Sequence, residues 1–408
     1  IAVLEPAGDD ATLALARINL ANTLSETGRR TDDLALLQAS VEAYDAALAG
    51  FDNVKFREEW AIAQYNRGLS FRLIGELTTG TDALVRSIDA FTSTLPYRPR
   101  ETRPREWSMT LSSLAITRAL LGWRQRDPAV IRQGIAETAL ALQEATRERM
   151  PITWARGQHS MANAWLMVVD LENAVEPARA ALANADEALR VYTRDSTPFE
   201  WAGATHDRGT APREIAVRTA DLPMAHSALA AYREALTVHT KKDVPSFWAA
   251  TEYRIAQLSL SLGDAEQDFG LLDEAVAAYA GPADYYRETG VPGFRAELQN
   301  SMGHALNLAA RSDGDIRRYE RAVGILREAA ATQAQSNDQP RLATTQDTLC
   351  EALTGLARAR RDTALAAEAV AACTASAAEL RARNLADLLA IAEAHLAAAV
   401  ALAAELAR

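Results

Sequence analysis

Tryptophan stands at Trp60, Trp107, Trp154, Trp201 and Trp248, each 47 positions after the last. Each is followed by a small residue, and from Trp107 onward a proline sits three positions before it: Pro104, Pro151, Pro198 and Pro245. A fixed period of this length marks a repeat array, in which each repeat packs chiefly on its neighbours. A chain of 408 residues is therefore expected to form one long solenoid rather than two or three globular domains.

The register extends beyond the tryptophans. One column reads Ala14, Ala61, Ser108, Ala155, Ala202, Ala249, Ala296, Ala343. A second reads Ala21, Gly68, Ala115, Ala162, Gly209, Ala256, Gly303, Cys350, and a third Ser40, Ser87, Gly134, Ala181, Ala228, Ala275, Ala322, Ala369. Small side chains recurring without insertion or deletion indicate helices brought to the short end of the usual 8–10 Å separation. Leu20, Leu24, Leu114, Leu121, Met161, Trp165, Ile255, Leu262, Met302 and Leu306 flank these columns at helical spacing, as a buried stripe does.

Between the second and third columns comes a turn. Gly28, Gly75, Gly122 and Gly263 are expected to end the first helix of their repeats. Asp33, Asp127, Asp221, Asp268, Asp315 and Asp362, five residues further on, are expected to cap the second, with Gly80 and Ala174 breaking the series. Pro128 suits a first helical position, whereas Pro282 is expected to shorten or bend its helix and Pro212 to kink the first helix of the fifth repeat. The repeats run 10–56, 57–103, 104–150, 151–197, 198–244, 245–291, 292–338 and 339–385, after an N-terminal tail at 1–9. Residues 386–408 stay in register through Ala390 and Ala397 and read as a capping first helix, making seventeen helices. That cap is apolar on nearly every side, so the expectation is that the chain continues beyond it or that it meets a partner or a second copy.

Composition agrees with helix: alanine, leucine, arginine and glutamate dominate. The net charge of -11 comes from interspersed acids and bases, which disfavours a nucleic-acid partner, and no polybasic patch suggests a membrane surface. The apolar run Leu396 to Ala404 is too short by itself to span a bilayer. No secretory signal opens the sequence, which begins at Ile1. Cys350 and Cys373 fit a reducing, cytoplasmic compartment and read as inert core thiols, a reactive pair being the lesser alternative.

Within a repeat, the stretch Gln64-Tyr65-Asn66-Arg67-Gly68-Leu69-Ser70-Phe71-Arg72-Leu73-Ile74-Gly75 resembles the first helix of a tetratricopeptide repeat. Asp273-Glu274-Ala275-Val276-Ala277-Ala278-Tyr279 resembles the start of its second helix, with Tyr44, Phe91 and Tyr232 in the place of Tyr279. The resemblance covers nearly the whole chain and implies an all-α, right-handed solenoid of eight helix-turn-helix repeats plus a C-terminal capping helix. The repeat departs from the family's usual 34 residues. It is similar instead to a long-repeat bacterial class that starts Pro-x-x-Trp-Ala and closes Leu-Gly, often beside a caspase-like peptidase or other effector domain.

Chemistry is sparse. The histidines are His159, His206, His226, His239, His304 and His395, with no metalloprotease spacing, phosphate loop or nucleophile elbow, so no catalytic residue, cofactor or metal is expected. The tryptophans read as wedges against the preceding repeat rather than stacking platforms. The first-helix face that lines the inner surface in tetratricopeptide arrays carries the column Ile18, Tyr65, Ser112, His159, His206, Tyr253, Asn300, Asp347. One turn on stand Asn22, Leu69, Ile116, Asn163, Thr210, Gln257, His304, Glu351, and beyond them Arg72, Arg213 and Asn307. Tyr65, Arg72, His159, Asn163, His206, Arg213, Tyr253, Gln257, Asn300, His304 and Asn307 are thus the candidate partner-binding residues. Their donors and acceptors suit an extended peptide or polar tail. Asn22 and Asn66 match two asparagine places of the family's carboxylate clamp, but Ile18 replaces its lysine, so that clamp is not expected. His159 and His206 share a column, but a metal between them lacks a third ligand. The expected function is a non-catalytic scaffold that binds a protein or peptide on the concave face of the superhelix, with self-association through the C-terminal helix. The alternative is a regulatory or sensor arm of a larger effector.

Overall fold

The computed structural model describes residues 10–51 and 55–408; the expected tail at 1–9 lies outside them. Among the described residues are seventeen α-helices, a 3-10 turn at Leu95–Tyr97, and no strand. The first helices of the repeats are α1 (Asp10–Thr31), α3 (Arg57–Leu77), α5 (Pro104–Gln125), α7 (Pro151–Glu172), α9 (Pro198–Thr219), α11 (Pro245–Glu266), α13 (Pro292–Asp313), α15 (Gln339–Arg360) and α17 (Ala386–Leu406). The second helices are α2 (Leu34–Leu48), α4 (Asp82–Thr94), α6 (Pro128–Ala141), α8 (Val175–Leu189), α10 (Leu222–Ala235), α12 (Phe269–Glu288), α14 (Ile316–Gln335) and α16 (Thr363–Ala382). Every first helix begins 47 residues after the previous one, five of them on a proline whose missing N–H has no partner to lose there. The chain divides into two compact units, Ile1–Ala220 with α1–α9 and Asp221–Arg408 with α10–α17. In each, helices adjacent in sequence pack side by side, as in an all-α solenoid.

The three small columns are buried throughout the eight repeats. Their smallness is required by what faces them. A Cβ on Gly68 would lie 2.8 Å from the Phe91 ring, and one on Gly303 2.5 Å from Leu326. Where serine holds such a place its hydroxyl is satisfied across the contact: Ser40 donates to Ser70 Oγ, Ser87 to the Gly68 carbonyl and Ser108 to that of Ala141. The tryptophans are half-buried between repeats, Trp60 among Ala47, Phe51 and Phe56 and Trp201 beside Tyr192. A cation from the preceding turn covers three of them: Arg100 over Trp107, Arg147 over Trp154, Lys241 over Trp248.

Asp33, Asp127, Asp221, Asp268, Asp315 and Asp362 each accept backbone N–H groups at the start of a second helix. Thr81 and Ala174, which begin the other two, make no side-chain cap. The glycines before the turn behave otherwise than expected. Gly28, Gly75, Gly122 and Gly263 lie inside their helices, where Leu37, Leu84, Ile131 and Leu272 press against the vacant side. The left-handed residue comes four positions later, as Asp32, Arg126, Asn173, Ala220, Gln267, Gly314 and Arg361, and glycine holds that place only once.

Neither internal proline breaks its helix. α9 is uninterrupted through Pro212 and α12 through Pro282, the latter being among the longest second helices at 20 residues. Burial of Ala204, Ala211 and Ile215 around Pro212, and of Tyr279 and Ala283 around Pro282, outweighs a cost of about 3 kcal/mol. Second helices come in two lengths: 13 to 15 residues in repeats one to five and 20 in repeats six to eight. After the short ones a turn plants one residue in the core, namely Phe51, Arg98, Ala145, Tyr192 and His239, spaced 47 apart. His239 is accordingly a core group, stacked edge-on against Phe247.

Cys350 and Cys373 form a disulfide between α15 and α16, which corrects the reading of two separate thiols. They hold the places of Gly303 and Leu326 one repeat earlier, so a covalent bond replaces the contact of a small residue with a large one. α17, whose longest unbroken apolar run reads too short, is over its 21 residues long and apolar enough to cross a membrane by length and composition. Its Ala392 and Leu402 are nonetheless buried against the eighth repeat, and Ala399 is buried as well.

Two outcomes are expected in urea unfolding of the intact chain. Gly314→Ala lowers stability by about 1 kcal/mol while Arg361→Gly raises it by up to about 1 kcal/mol, because only glycine adopts the left-handed region without strain. Replacing Cys350 and Cys373 together by alanine lowers stability by about 2–4 kcal/mol, since the crosslink closes a loop of 23 residues.

Candidate interaction surface

The polar first-helix face is built by the same close packing that hides the small columns. Because neighbouring first helices stand side by side in register, a residue in the central column meets the residue 48 positions later on the next helix. Tyr65 Oη lies 3.0 Å from Ser113 Oγ, His159 Nε2 is 2.8 Å from Asp207 Oδ2, and His395 Nδ1 is 3.0 Å from both Asp347 oxygens. The third pair of places along the chain, Tyr253 and Ser301, is filled differently: Ser301 hydrogen-bonds to Tyr279, whose ring stands 6.2 Å from that of Tyr253. These pairs recur every 94 residues, two repeats apart, with the His and Asp exchanged between the second and fourth.

Several candidate residues are therefore committed inside the chain. His159 binds Asp207 instead of facing His206, and Asp207 is itself buried. Arg72 pairs with Glu76 at 2.5 Å, and Arg213 pairs with Glu214, which also holds Arg218. Asn163 is exposed and donates to the His159 carbonyl of its own helix. Asn307 is fully buried and donates to the Thr348 carbonyl, so it ties α13 to α15 and does not reach a surface. Tyr65 is half-buried, with the Arg98 guanidinium 4.7 Å from its ring. His206 is half-buried on α9, its carbonyl accepting the Thr210 hydroxyl.

In the second compact unit the face is more open. Tyr253 packs edge-on against Phe294, and Gln257 accepts from Arg254. Asn300 and His304, one turn apart on α13, are half-buried and make no hydrogen bond or ion pair with the other described residues, and the Asn300 carbonyl oxygen is shielded from water without a donor. In the first unit, Asn22, Tyr44, Asn66 and Arg72 share a cleft of about 240 Å³. The Tyr44 hydroxyl and the Asn66 amide both donate to Asn22 Oδ1, so the two asparagines hold each other.

Comparison with solved structures decides the family of folds. RapI in its apo form superposes over 96% of this chain and 97% of its own, with a TM-score of 0.50 at 12% sequence identity. The fold is that of a tetratricopeptide-type repeat array. A Rap protein complexed with competence and sporulation factor aligns over 97% of this chain and 99% of its own, at 13% identity and TM-score 0.40. A signal transduction ATPase with numerous domains and a tetratricopeptide repeat sensor, from Pyrococcus horikoshii, aligns over 84% of this chain and 50% of its own, at 13% identity and TM-score 0.43. No protein-family model and no curated protein matches the sequence. At such identities the tetratricopeptide likeness is one of fold.

Asp347 gives this array a pH-dependent contact. Its hydrogen bond raises the His395 pKa above the ordinary value, with burial opposing. A raised folded-state pKa means the contribution is fully present below the unfolded value near 6.5 and is lost as pH rises through the folded one. Stability of the wild type is therefore expected to fall between about pH 6 and pH 8 relative to Asp347→Asn, as read from urea midpoints across that range; parallel pH profiles would exclude the contact as the cause.

Proposed function

We propose that the chain is a non-catalytic protein-interaction scaffold that takes up a peptide or protein on the face made by its first helices. The observation that carries this reading is the pair Asn300 and His304. Several polar side chains of the face are spent within the chain, as at Tyr65, His159 and Arg213, whereas here an unpaired amide and both nitrogens of a half-exposed imidazole stand on successive turns. The Asn300 amide N–H groups and the His304 ring nitrogens suit the backbone groups of an extended partner. Tyr253 and Phe294 beside them supply a rigid aromatic surface of the kind that anchors interfaces. The tetratricopeptide-type fold supports the reading, since helix hairpins in series expose an extended face on rigid elements. The candidate set contracts to Tyr253, Gln257, Asn300 and His304 in the second unit, with Tyr65, Asn163 and His206 in the first. His159, Arg72, Arg213 and Asn307 shape the face from within.

Affinity capture with the full chain, compared with a variant carrying alanine at Tyr253, Gln257, Asn300 and His304, tests this. The variant is expected to retain its circular dichroism and to lose at least ten-fold of the captured partner. Equal recovery of the same partner by both proteins would place the binding surface elsewhere.

A further inference from the structure

A cleft of about 280 Å³ opens near the end of the second compact unit, among α13, α14, α15 and α17. Its shape originates in one residue. Position 355 is glycine where the three preceding repeats carry Glu214, Ser261 and Leu308. The Tyr319 ring lies where a Cβ on Gly355 would be, so the tyrosine forms a buried floor and leaves the space above it open.

The rim is charged in a defined way. Arg311 and Arg358 occupy one column on successive first helices, 47 residues apart. Arg311 is paired with Glu351 at 2.9 Å. Arg358 is exposed and, among the described residues, has no hydrogen bond or ion pair. His395 faces the cleft from α17 with Asp347 behind it, and Glu351 and Arg311 on α15 and α13 are the other charged groups acting on its ring. With His395 neutral, the two arginines are balanced by Glu351 and Asp347. Protonation of His395 leaves one positive charge in excess in the cleft that the unpaired Arg358 also lines.

We propose that this cleft binds a carboxylate on an acidic side chain of a peptide, held by Arg358 and by protonated His395 over the Tyr319 floor. The inference rests on the first-helix face being a peptide-binding surface, since Glu351 belongs to that face, and it supplies the partner's chemistry and a dependence on pH. Arg358 forms the charge-assisted hydrogen bonds, for which a planar guanidinium suits a carboxylate. His395 adds its charge as pH falls, so the site tightens below the raised titration point and loosens above it.

Histidine ring signals of the full chain, followed by NMR during titration, read the site directly. The probes are a pentapeptide blocked at both ends with a central glutamate, the same peptide with glutamine, and inorganic phosphate. The expected result is a saturable shift of the His395 signal with the glutamate peptide at pH 6, at least five-fold weaker at pH 8. Arg358→Ala is expected to weaken it five-fold or more, with the His304 signal and the thermal midpoint unchanged. An equal response to the glutamine peptide, full binding by Arg358→Ala, or tighter binding of phosphate than of the peptide would each overturn the assignment. Equal partner capture by the wild type and the variant carrying alanine at Tyr253, Gln257, Asn300 and His304, with this titration intact, would discard the wider surface and leave the cleft standing; loss of capture by that variant with no titration would discard the cleft alone.

Discussion

Everything in this chain depends on a small residue meeting a large one across each hairpin. Gly68 receives the Phe91 ring and Gly303 the Leu326 side chain, at distances where even one more methyl group collides. Such close approach multiplies van der Waals contacts, each worth only about 0.1–0.2 kcal/mol but numerous, and it leaves few ways for the helices to slide. The disulfide between Cys350 and Cys373 sits on the same pair of positions, a covalent version of the contact that the other repeats make by packing.

Locked hairpins place the surface groups in turn. Central-column residues reach the side chain 48 positions later, and a second set of contacts joins a second helix to the end of the next first helix. There Arg132 meets Glu172 at 2.5 Å, His226 meets Glu266 at 2.9 Å, and Glu320 meets Arg360 with the charges exchanged. These pairs too recur every 94 residues. Each exposed pair contributes little, about 0–1 kcal/mol. Their regularity shows that the side-chain decoration follows a two-repeat period while the backbone follows one repeat. Polar groups consumed in these ladders are unavailable to a partner, and the face is open chiefly where a ladder position is filled by groups that do not pair.

The two lengths of second helix show how one period accommodates two local solutions. In the earlier repeats the helix stops and a turn delivers Phe51, Arg98, Ala145, Tyr192 or His239 to the core; in repeats seven and eight the helix continues and Gln333 or Leu380 arrives at the same column from a helical turn, while Tyr286 of the sixth is half-buried. What seven of the eight repeats preserve is the buried position, since a gap there costs about as much as truncating any core side chain. The backbone route to it is free to vary.

Helix starts, aspartate caps and buried small columns could be read from the sequence, because each depends on residues near one another in the chain or on strict periodicity. Pairing of the inner-face residues could not, since whether His159 meets His206 or Asp207 depends on a one-position offset between neighbouring helices. The column containing Asn307 mixes polar members such as Arg72 and Arg213 with apolar ones such as Leu166 and Leu260, and only packing shows that Asn307 lies fully inside. Gly28, Gly75, Gly122 and Gly263 carry the local signature of helix ends, yet the bulk of Leu37, Leu84, Ile131 and Leu272 reserves them for contact, and the left-handed turn falls to Asp32, Arg126 and Gln267 after three of them. Pro212 and Pro282 likewise carry a local penalty that burial overrides. The sequence by itself determined period, fold class and capping, which are local or repetitive. Tertiary structure decided which polar groups are spent internally, where a cleft opens above Tyr319 and that the two cysteines join, because each of those is set by distances between side chains far apart in the chain.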